Sequence, residues 1–395
     1  MGKTMKFICG DDAVAEGARL SRPHVISAYP ITPQTIVVER LSEFVEDGSL
    51  KSEFMHVESE HSAMSCAIGI SAVGARAFTA TSSQGLLYMA EALPYASGQR
   101  LPIVMMNANR SIATPWSIFG DHMDSMFLLN SGWIQIYVED AQEALDMIIQ
   151  AYRIAETKEV MTPVMVNVDG FVLTHTYEMV EIPQQEKVDE FLPPISMPDN
   201  SMSLEDPKSL CISAGKDTNM EFNMKRHFEM VESEKHIEAI DKEFGDAFGR
   251  YYHGMMEKIH MEDAEVALIT TGTVTGTARV VLEKMRRDGK KVGLIKLRVL
   301  RPFPMDKINE ALEGLKAFGV LDKNISFGYE GSIFTNVNSS IIEMVNIPKA
   351  INFIGGIGGR DITHEDIEKA YDELLSAAEG NSFERVQYMN VGCEY

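Results

Sequence analysis

Two long stretches of this chain alternate short apolar runs with helix-period runs, and that rhythm constrains the fold more than any other feature. In the first stretch, residues 25–28, 54–57, 75–81, 101–107, 133–138 and 163–168 read as buried strands. Helical patterns at 60–73, 86–96 and 141–156 fall between them. The segment Tyr29-Pro30-Ile31-Thr32-Pro33 opens a further helix, with Thr32 as its N-cap and Pro33 as its first residue. Prolines 183, 193, 194, 198 and 207 then interrupt any regular pattern, so 180–230 reads as a linker wrapped over the first domain. One long helix is expected at 231–260, with a possible break near Gly245 or Gly249. The alternation returns with strands at 266–270, 291–297, 325–329 and 351–354, and helices ending at Arg287 and spanning 306–317, 340–345 and 363–378. The expected architecture is α/β: two doubly wound domains at 1–180 and 261–395, joined by a linker and long helix at 181–260.

Charge and cysteine usage remove several functions. The chain has 395 residues and a net charge of −22, whereas a nucleic-acid binder needs a basic face. Cys9, Cys66, Cys211 and Cys393 form no Cys-x-x-Cys pair, so neither a disulfide scaffold nor an iron–sulfur site is expected. Any clusters would lie on another chain. No stretch reaches the ~18–20 apolar residues of a membrane span. The first ten residues lack the apolar core of a signal peptide, and a cytoplasmic location is expected.

Three constellations can carry chemistry. Glu58-Ser59-Glu60-His61 follows a strand and opens a helix, where α/β sheets bind ligands and where acids are in any case favoured. Asn107-Ala108-Asn109-Arg110 ends a strand, and an arginine at that lip can clamp a carboxylate with two parallel hydrogen bonds. Gly120-Asp121-His122-Met123-Asp124 holds one histidine and two acids, too few for a metal site; its aspartates are expected to cap turns. The glycines of Thr271-Gly272-Thr273-Val274-Thr275-Gly276 and of Gly355-Gly356-Ile357-Gly358-Gly359 fit no phosphate-loop or dinucleotide pattern. They read as tight turns, or else as a subunit contact.

Taken in order, these segments resemble the 2-oxoacid:ferredoxin oxidoreductases, of which the pyruvate enzymes are one kind. The likeness runs through Tyr29-Pro30-Ile31-Thr32-Pro33, Glu58-Ser59-Glu60-His61, Thr81-Ser82-Ser83-Gln84-Gly85-Leu86, Asn109-Arg110, Ser117-Ile118-Phe119-Gly120-Asp121-His122 and Gly132-Trp133-Ile134-Gln135. It continues through Leu300-Arg301-Pro302-Phe303-Pro304 and Gly355-Gly356-Ile357-Gly358-Gly359-Arg360-Asp361. The resemblance implies an alpha subunit with a pyrimidine-binding thiamine diphosphate domain and a transketolase C-terminal-like domain. It implies a cofactor shared with a partner chain, which holds the diphosphate and Mg2+. By that likeness Glu60 hydrogen-bonds the pyrimidine N1′, with Glu58 as second choice, and Pro30 and Ser83 line the cofactor. Thr32 and Arg110 meet the substrate carboxylate. No metal ligand is implied on this chain.

The implied reaction is CoA-dependent oxidative decarboxylation, with electrons passing to [4Fe-4S] clusters on beta, gamma and delta-type subunits and then to ferredoxin or a similar acceptor. The neutral Thr32 disfavours a dicarboxylate, so pyruvate leads. Thr114-Pro115-Trp116 and Met123 depart from the pattern and keep branched-chain and aryl 2-oxoacids open. A non-catalytic scaffold subunit is the alternative of another class.

Overall fold

The structure, a computed structural model, describes residues 4–197, 201–205, 207–210 and 212–392. Pro198, Cys211 and Cys393 lie outside the described residues. The first part of the chain runs β1 (Thr4–Cys9), α1 (Gly10–Ser21), β2 (Val25–Ala28), α2 (Thr35–Glu46), β3 (Glu53–His56), α3 (Glu60–Ala72) and β4 (Ala77–Thr81). It continues with α4 (Ser83–Tyr88), α5 (Leu93–Gly98), β5 (Val104–Asn109), α6 (Met123–Met126), β6 (Ile134–Tyr137), α7 (Ala141–Ala155) and β7 (Val164–Asp169). Then come α8 (Val172–His175), β8 (Tyr177–Ile182), α9 (Gln185–Phe191) and α10 (Asn219–Phe248). The second part holds β9 (Met256–Ile259), β10 (Val266–Thr270), α11 (Val274–Arg287), β11 (Val292–Leu297), β12 (Val299–Arg301) and α12 (Met305–Leu312). It ends with β13 (Ala317–Asp322), α13 (Ser332–Ser340), β14 (Lys349–Ile354), α14 (His364–Ala378) and β15 (Val386–Tyr388).

The first sheet has the order β12-β6-β7-β5-β4-β2-β3 and is parallel apart from β12. β5 and β7 are buried at every position, which is why they read as unbroken apolar runs rather than alternating ones. The second sheet has the order β15-β14-β13-β10-β11-β9, with only β9 antiparallel. Helices cover both sheets, so the fold is α/β. Among the described residues no helix is long and apolar enough to cross a membrane.

Several expected elements shift. β1 and α1 were not anticipated. α1 is buried at 11 of its 12 positions, Asp11, Asp12 and Glu16 among them, so acidic residues that read as surface lie inside, and β1 gains its partner only from the distant β8. The helix expected at 231–260 is α10, Asn219–Phe248: the Met- and Glu-rich residues from Asn219 onward are good helix formers, and Gly249 ends the helix in a left-handed conformation (φ 78°). The helix expected at 86–96 is divided into α4 and α5, with Pro94 in the first turn of the second. α2 begins at Thr35 rather than Pro33, because Gln34 turns its amide back to the Tyr29 carbonyl (3.1 Å). The strand expected at 325–329 lies instead at Ala317–Asp322, where an apolar run is paired on both sides, and Phe327 and Tyr329 sit in an exposed loop. The next two helices move with it: α12 ends at Leu312 and α13 spans Ser332–Ser340.

The two parts share one covalent and electrostatic seam. β11 belongs to the second sheet, yet β12, two residues later, pairs with β6 at the edge of the first. Arg298 lies at that crossing and donates from Nε to Glu143 Oε1 (2.7 Å), in the first turn of α7. Lys296 Nζ meets Glu143 Oε2 (2.6 Å) and Glu139 Oε2 (2.8 Å). Burial opposes the charge of Glu143, but Lys296 and Arg298 outweigh it and hold the carboxyl at about 2, against 4.5 for a free glutamate. Removing one partner of such a network strands the others. Glu143→Ala is expected to cost about 3–5 kcal/mol of stability. Because the folded pKa is depressed, the stabilisation is complete above pH 4.5 and disappears as pH falls towards 2. Unfolding curves of wild type and Glu143→Gln should therefore converge over that window; a gap independent of pH would contradict this account.

Candidate active site at the switch point of the first sheet

The chain leaves β2 to form β3 on one side and, later, β4 on the other. Loops departing from the C-terminal ends of β2 and β4 therefore diverge and leave a crevice, the usual ligand position in open α/β sheets. Four sequence-predicted segments converge there: 29–34 after β2, Glu60 after β3, 82–85 after β4 and Arg110 after β5.

Glu60 is the first residue of α3, whose N-cap Ser59 accepts from Ser62 N (3.2 Å). The helix terminus favours a carboxylate at this point. The side chain is 7% exposed and has no hydrogen-bond donor among the described residues. Gly85 makes room for it, since a Cβ there would lie 2.5 Å from Glu60 Oε1 and 2.8 Å from Thr81 Oγ1. Glu58 differs in every respect: it is exposed and accepts from Ser62 Oγ (2.5 Å), which holds it below the ordinary carboxylate range. The geometry puts Glu60 in the crevice and leaves Glu58 in solvent.

Arg110 is 4% exposed. Its Nη1 donates to the Thr32 carbonyl (2.6 Å) and its Nη2 to Gln84 Oε1 (3.3 Å), while Nε–H is buried without a partner. Burial pushes its pKa down, and Asp124 and Glu60 act in the opposite direction. A guanidinium has five N–H groups, so donors remain for a substrate anion. Thr32 and Pro30 are exposed at the rim. Ser83 is buried in a left-handed conformation (φ 52°), unusual for a residue with a side chain, at the turn between β4 and α4. Its hydroxyl lies 2.6 Å from both the Ser111 carbonyl and Gln84 Oε1, so its single proton is spent within the chain.

One acid organises these pieces. Asp124 is fully buried; its Oδ2 accepts from Ser83 N (3.0 Å), Arg110 N (3.1 Å) and Asn107 Nδ2 (3.3 Å). Its Oδ1 accepts from Asn109 Nδ2 (2.8 Å) and Ser125 N (2.7 Å). Burial raises its pKa to about 6 despite those donors. Asp121 caps a local turn through Met123 N (3.0 Å) and also takes Gly358 N (2.8 Å) from the glycine-rich turn of the second domain. His122 Nε2 pairs with Asp169 Oδ1 (2.8 Å) at the end of β7. Among the described residues no group of three histidine, cysteine, aspartate or glutamate side chains is placed to hold a metal.

Asp169 also takes Lys323 Nζ (2.7 Å), Thr273 N (2.7 Å) and Thr273 Oγ1 (2.6 Å). Burial disfavours its charge, but Lys323 and His122 prevail and keep it well below the carboxylate range. Gln84 stands out in the sequence only as part of a motif, and Asp169 and Lys323 carry no local signal. Asp124→Asn replaces an acceptor by an NH2 group facing N–H donors. It is expected to cost about 2–4 kcal/mol and to weaken substrate binding by loosening Arg110. Thermal unfolding and KM of the assembled complex check this; an unchanged unfolding midpoint would contradict it.

Comparison with known proteins places the chain in a family. The family described as pyruvate flavodoxin/ferredoxin oxidoreductase, thiamine diphosphate-binding, matches residues 16–242, and the pyruvate:ferredoxin oxidoreductase core domain II matches residues 264–367. The chain is 47% identical over 365 residues to the pyruvate synthase subunit PorA of Methanothermobacter thermautotrophicus, covering 92% of this chain and 94% of that one. It is 40% identical over 380 residues to the ketoisovalerate oxidoreductase subunit VorA of Pyrococcus horikoshii, covering 96% of each. Among solved structures, a 2-oxoglutarate:ferredoxin oxidoreductase from Magnetococcus marinus shares the fold, with a TM-score of 0.72 at 21% identity; the match covers 94% of this chain and 65% of that one. The chain belongs to the pyruvate flavodoxin/ferredoxin oxidoreductase family, as the alpha-type subunit of a 2-oxoacid oxidoreductase.

Proposed function

We propose that this subunit provides the pyrimidine side of a thiamine diphosphate site in a CoA-dependent enzyme that oxidatively decarboxylates pyruvate to acetyl-CoA and CO2. The observation that carries this reading is the Glu60 carboxylate, buried in the switch-point crevice with no protein donor. That position fits a cofactor ring nitrogen as its missing partner, because a buried acceptor left unpaired is costly. When bound, the cofactor supplies the electron sink that 2-oxoacid decarboxylation needs. Glu60 would hold a proton at the pyrimidine N1′ by accepting its hydrogen bond, and Pro30, at the rim, would line the ring. Ser83 would act there by shaping the turn after β4, since its hydroxyl and its N–H are both engaged within the chain.

Arg110, steadied by Thr32 and Gln84, would meet the substrate carboxylate with its remaining N–H groups. The neutral Thr32 suits a monocarboxylate. A partner chain would hold the diphosphate and Mg2+. Beta, gamma and delta-type partners would bear the [4Fe-4S] clusters and deliver electrons to ferredoxin or a similar acceptor. A branched-chain 2-oxoacid is the second reading. It is supported by the VorA relative and by the apolar side chains of Trp116 and Phe119, 69% and 50% exposed on the loop after Arg110.

Viologen reduction by the assembled complex with CoA, against a panel of 2-oxoacids, tests the substrate. The highest kcat/KM is expected with pyruvate; preference for 2-ketoisovalerate would move the specificity to the Trp116–Met123 loop. Arg110→Ala should lower kcat/KM by about 30- to 1000-fold, the equivalent of ~2–4 kcal/mol. Turnover near wild type would remove Arg110 from the site. Glu60→Gln should lower kcat by about 10²–10³-fold, and full activity in that variant would favour a scaffold role.

A further inference from the structure

A second pocket opens at the opposite edge of the first sheet. The loops that precede β5, β6 and β7 contribute Arg100, Gly132 and Thr162. The antiparallel β12 brings Arg301, paired with Gln135, to the same end. The first half of α10 forms the roof with Arg226 and His227. The cavity has a volume of about 270 Å³ and opens to solvent. The crevice holding Glu60 and Arg110 lies at the other ends of these strands, so the two sites are separate.

The charge of this pocket runs against that of the chain. Net charge is −22, yet the lining holds three arginines and only one carboxylate, Glu229. That carboxylate is committed to Arg100 (2.8 Å). Arg226 and Arg301 have no carboxylate partner among the described residues: Arg226 donates to Ser97 Oγ (2.8 Å) and Arg301 to the Leu300 carbonyl (2.5 Å). Both are half-buried, and burial pushes the pKa of each down. Gly132 accommodates Arg226: at φ 79° it has no side chain, and a Cβ would lie 2.1 Å from Arg226 Nη2. Guanidinium groups that only tied elements together would normally be met by carboxylates, and the chain has 58 acidic residues. Here two half-buried guanidinium groups on one lining lack a carboxylate, with Asn130 and Asn223 as further polar groups beside them.

We propose that this pocket binds a phosphate-bearing small anion, of which the diphosphate group is the best match to two unpaired guanidinium forks. The ligand sits away from the catalytic crevice and is held by Arg226 and Arg301, with His227 at the mouth. Free pyrophosphate and a nucleoside diphosphate share this chemistry.

Isothermal titration of the assembled complex, saturated with thiamine diphosphate, tests the proposal with pyrophosphate, ADP and AMP as probes. Saturable pyrophosphate or ADP binding is expected, weakened about thirtyfold or more by Arg226→Gln and by Arg301→Gln. Tighter binding of ADP than of pyrophosphate assigns a nucleotide, and equal affinity assigns the free diphosphate; either supports the site. His227→Glu, at an exposed position on α10, places a repulsive charge at the mouth without disturbing buried packing and should abolish binding. Viologen-linked turnover in that variant reports that the complex is intact. No binding of any probe, as when an acidic segment of a partner subunit fills the pocket, overturns the proposal. Binding unchanged in His227→Glu and Arg301→Gln also overturns it.

Discussion

The candidate site depends on the carboxylate of Asp124. Buried charge is expensive, and this one is tolerated because five N–H donors surround it. Those donors come from the ends of β4 and β5 and from the start of α6, so satisfying one acid sets the spacing of three segments. Ser83 is held in its left-handed turn, Gln84 follows it, and Arg110 is brought within reach of both Gln84 and the Thr32 carbonyl. Glu60 enters the same crevice from α3 and stays free of protein partners, as do Thr81 Oγ1 and Arg110 Nε nearby.

The second domain supports this loop rather than opening a crevice of its own. Its strand order places a switch point between β10 and β13, where Gly272 and Lys323 leave the sheet. That position is filled by the first domain: Asp169 joins His122, Lys323 and Thr273, and Asp121 takes Gly358 N. Both sheets follow the same topological rule, yet one switch point is left open and the other is closed by charged side chains. The Glu143–Lys296–Arg298 cluster acts beside it, at the point where the chain steps from one sheet into the other. Two buried ionic centres therefore set the alignment of the domains that carry the 109–126 loop.

Much of the fold was legible in the sequence where the physics is local. β5 and β7 declare themselves as unbroken apolar runs, and α3 declares its start through Ser59. Elements without a local signature were misplaced. α1 buries its acidic residues, β1 depends on a partner about 170 residues away, and β13 lies between the helix expected to end at Ala317 and the strand expected at 325–329. In the crevice, Glu60 and Arg110 stood out by residue type and position, but Glu58 and Glu60 were separable only once burial was known. Asp169 and Lys323 gave no usable signal, since their roles exist only through contacts across 154 positions.

The sequence by itself determined the α/β class, the two alternating blocks and the family, because hydrophobic periodicity and short motifs are written in neighbouring residues. Tertiary structure alone decided which strand ends meet, which of two glutamates two residues apart is buried, and which charges lose water and must find partners. Those outcomes depend on strand order and on desolvation, and both are properties of the packed chain rather than of any segment within it.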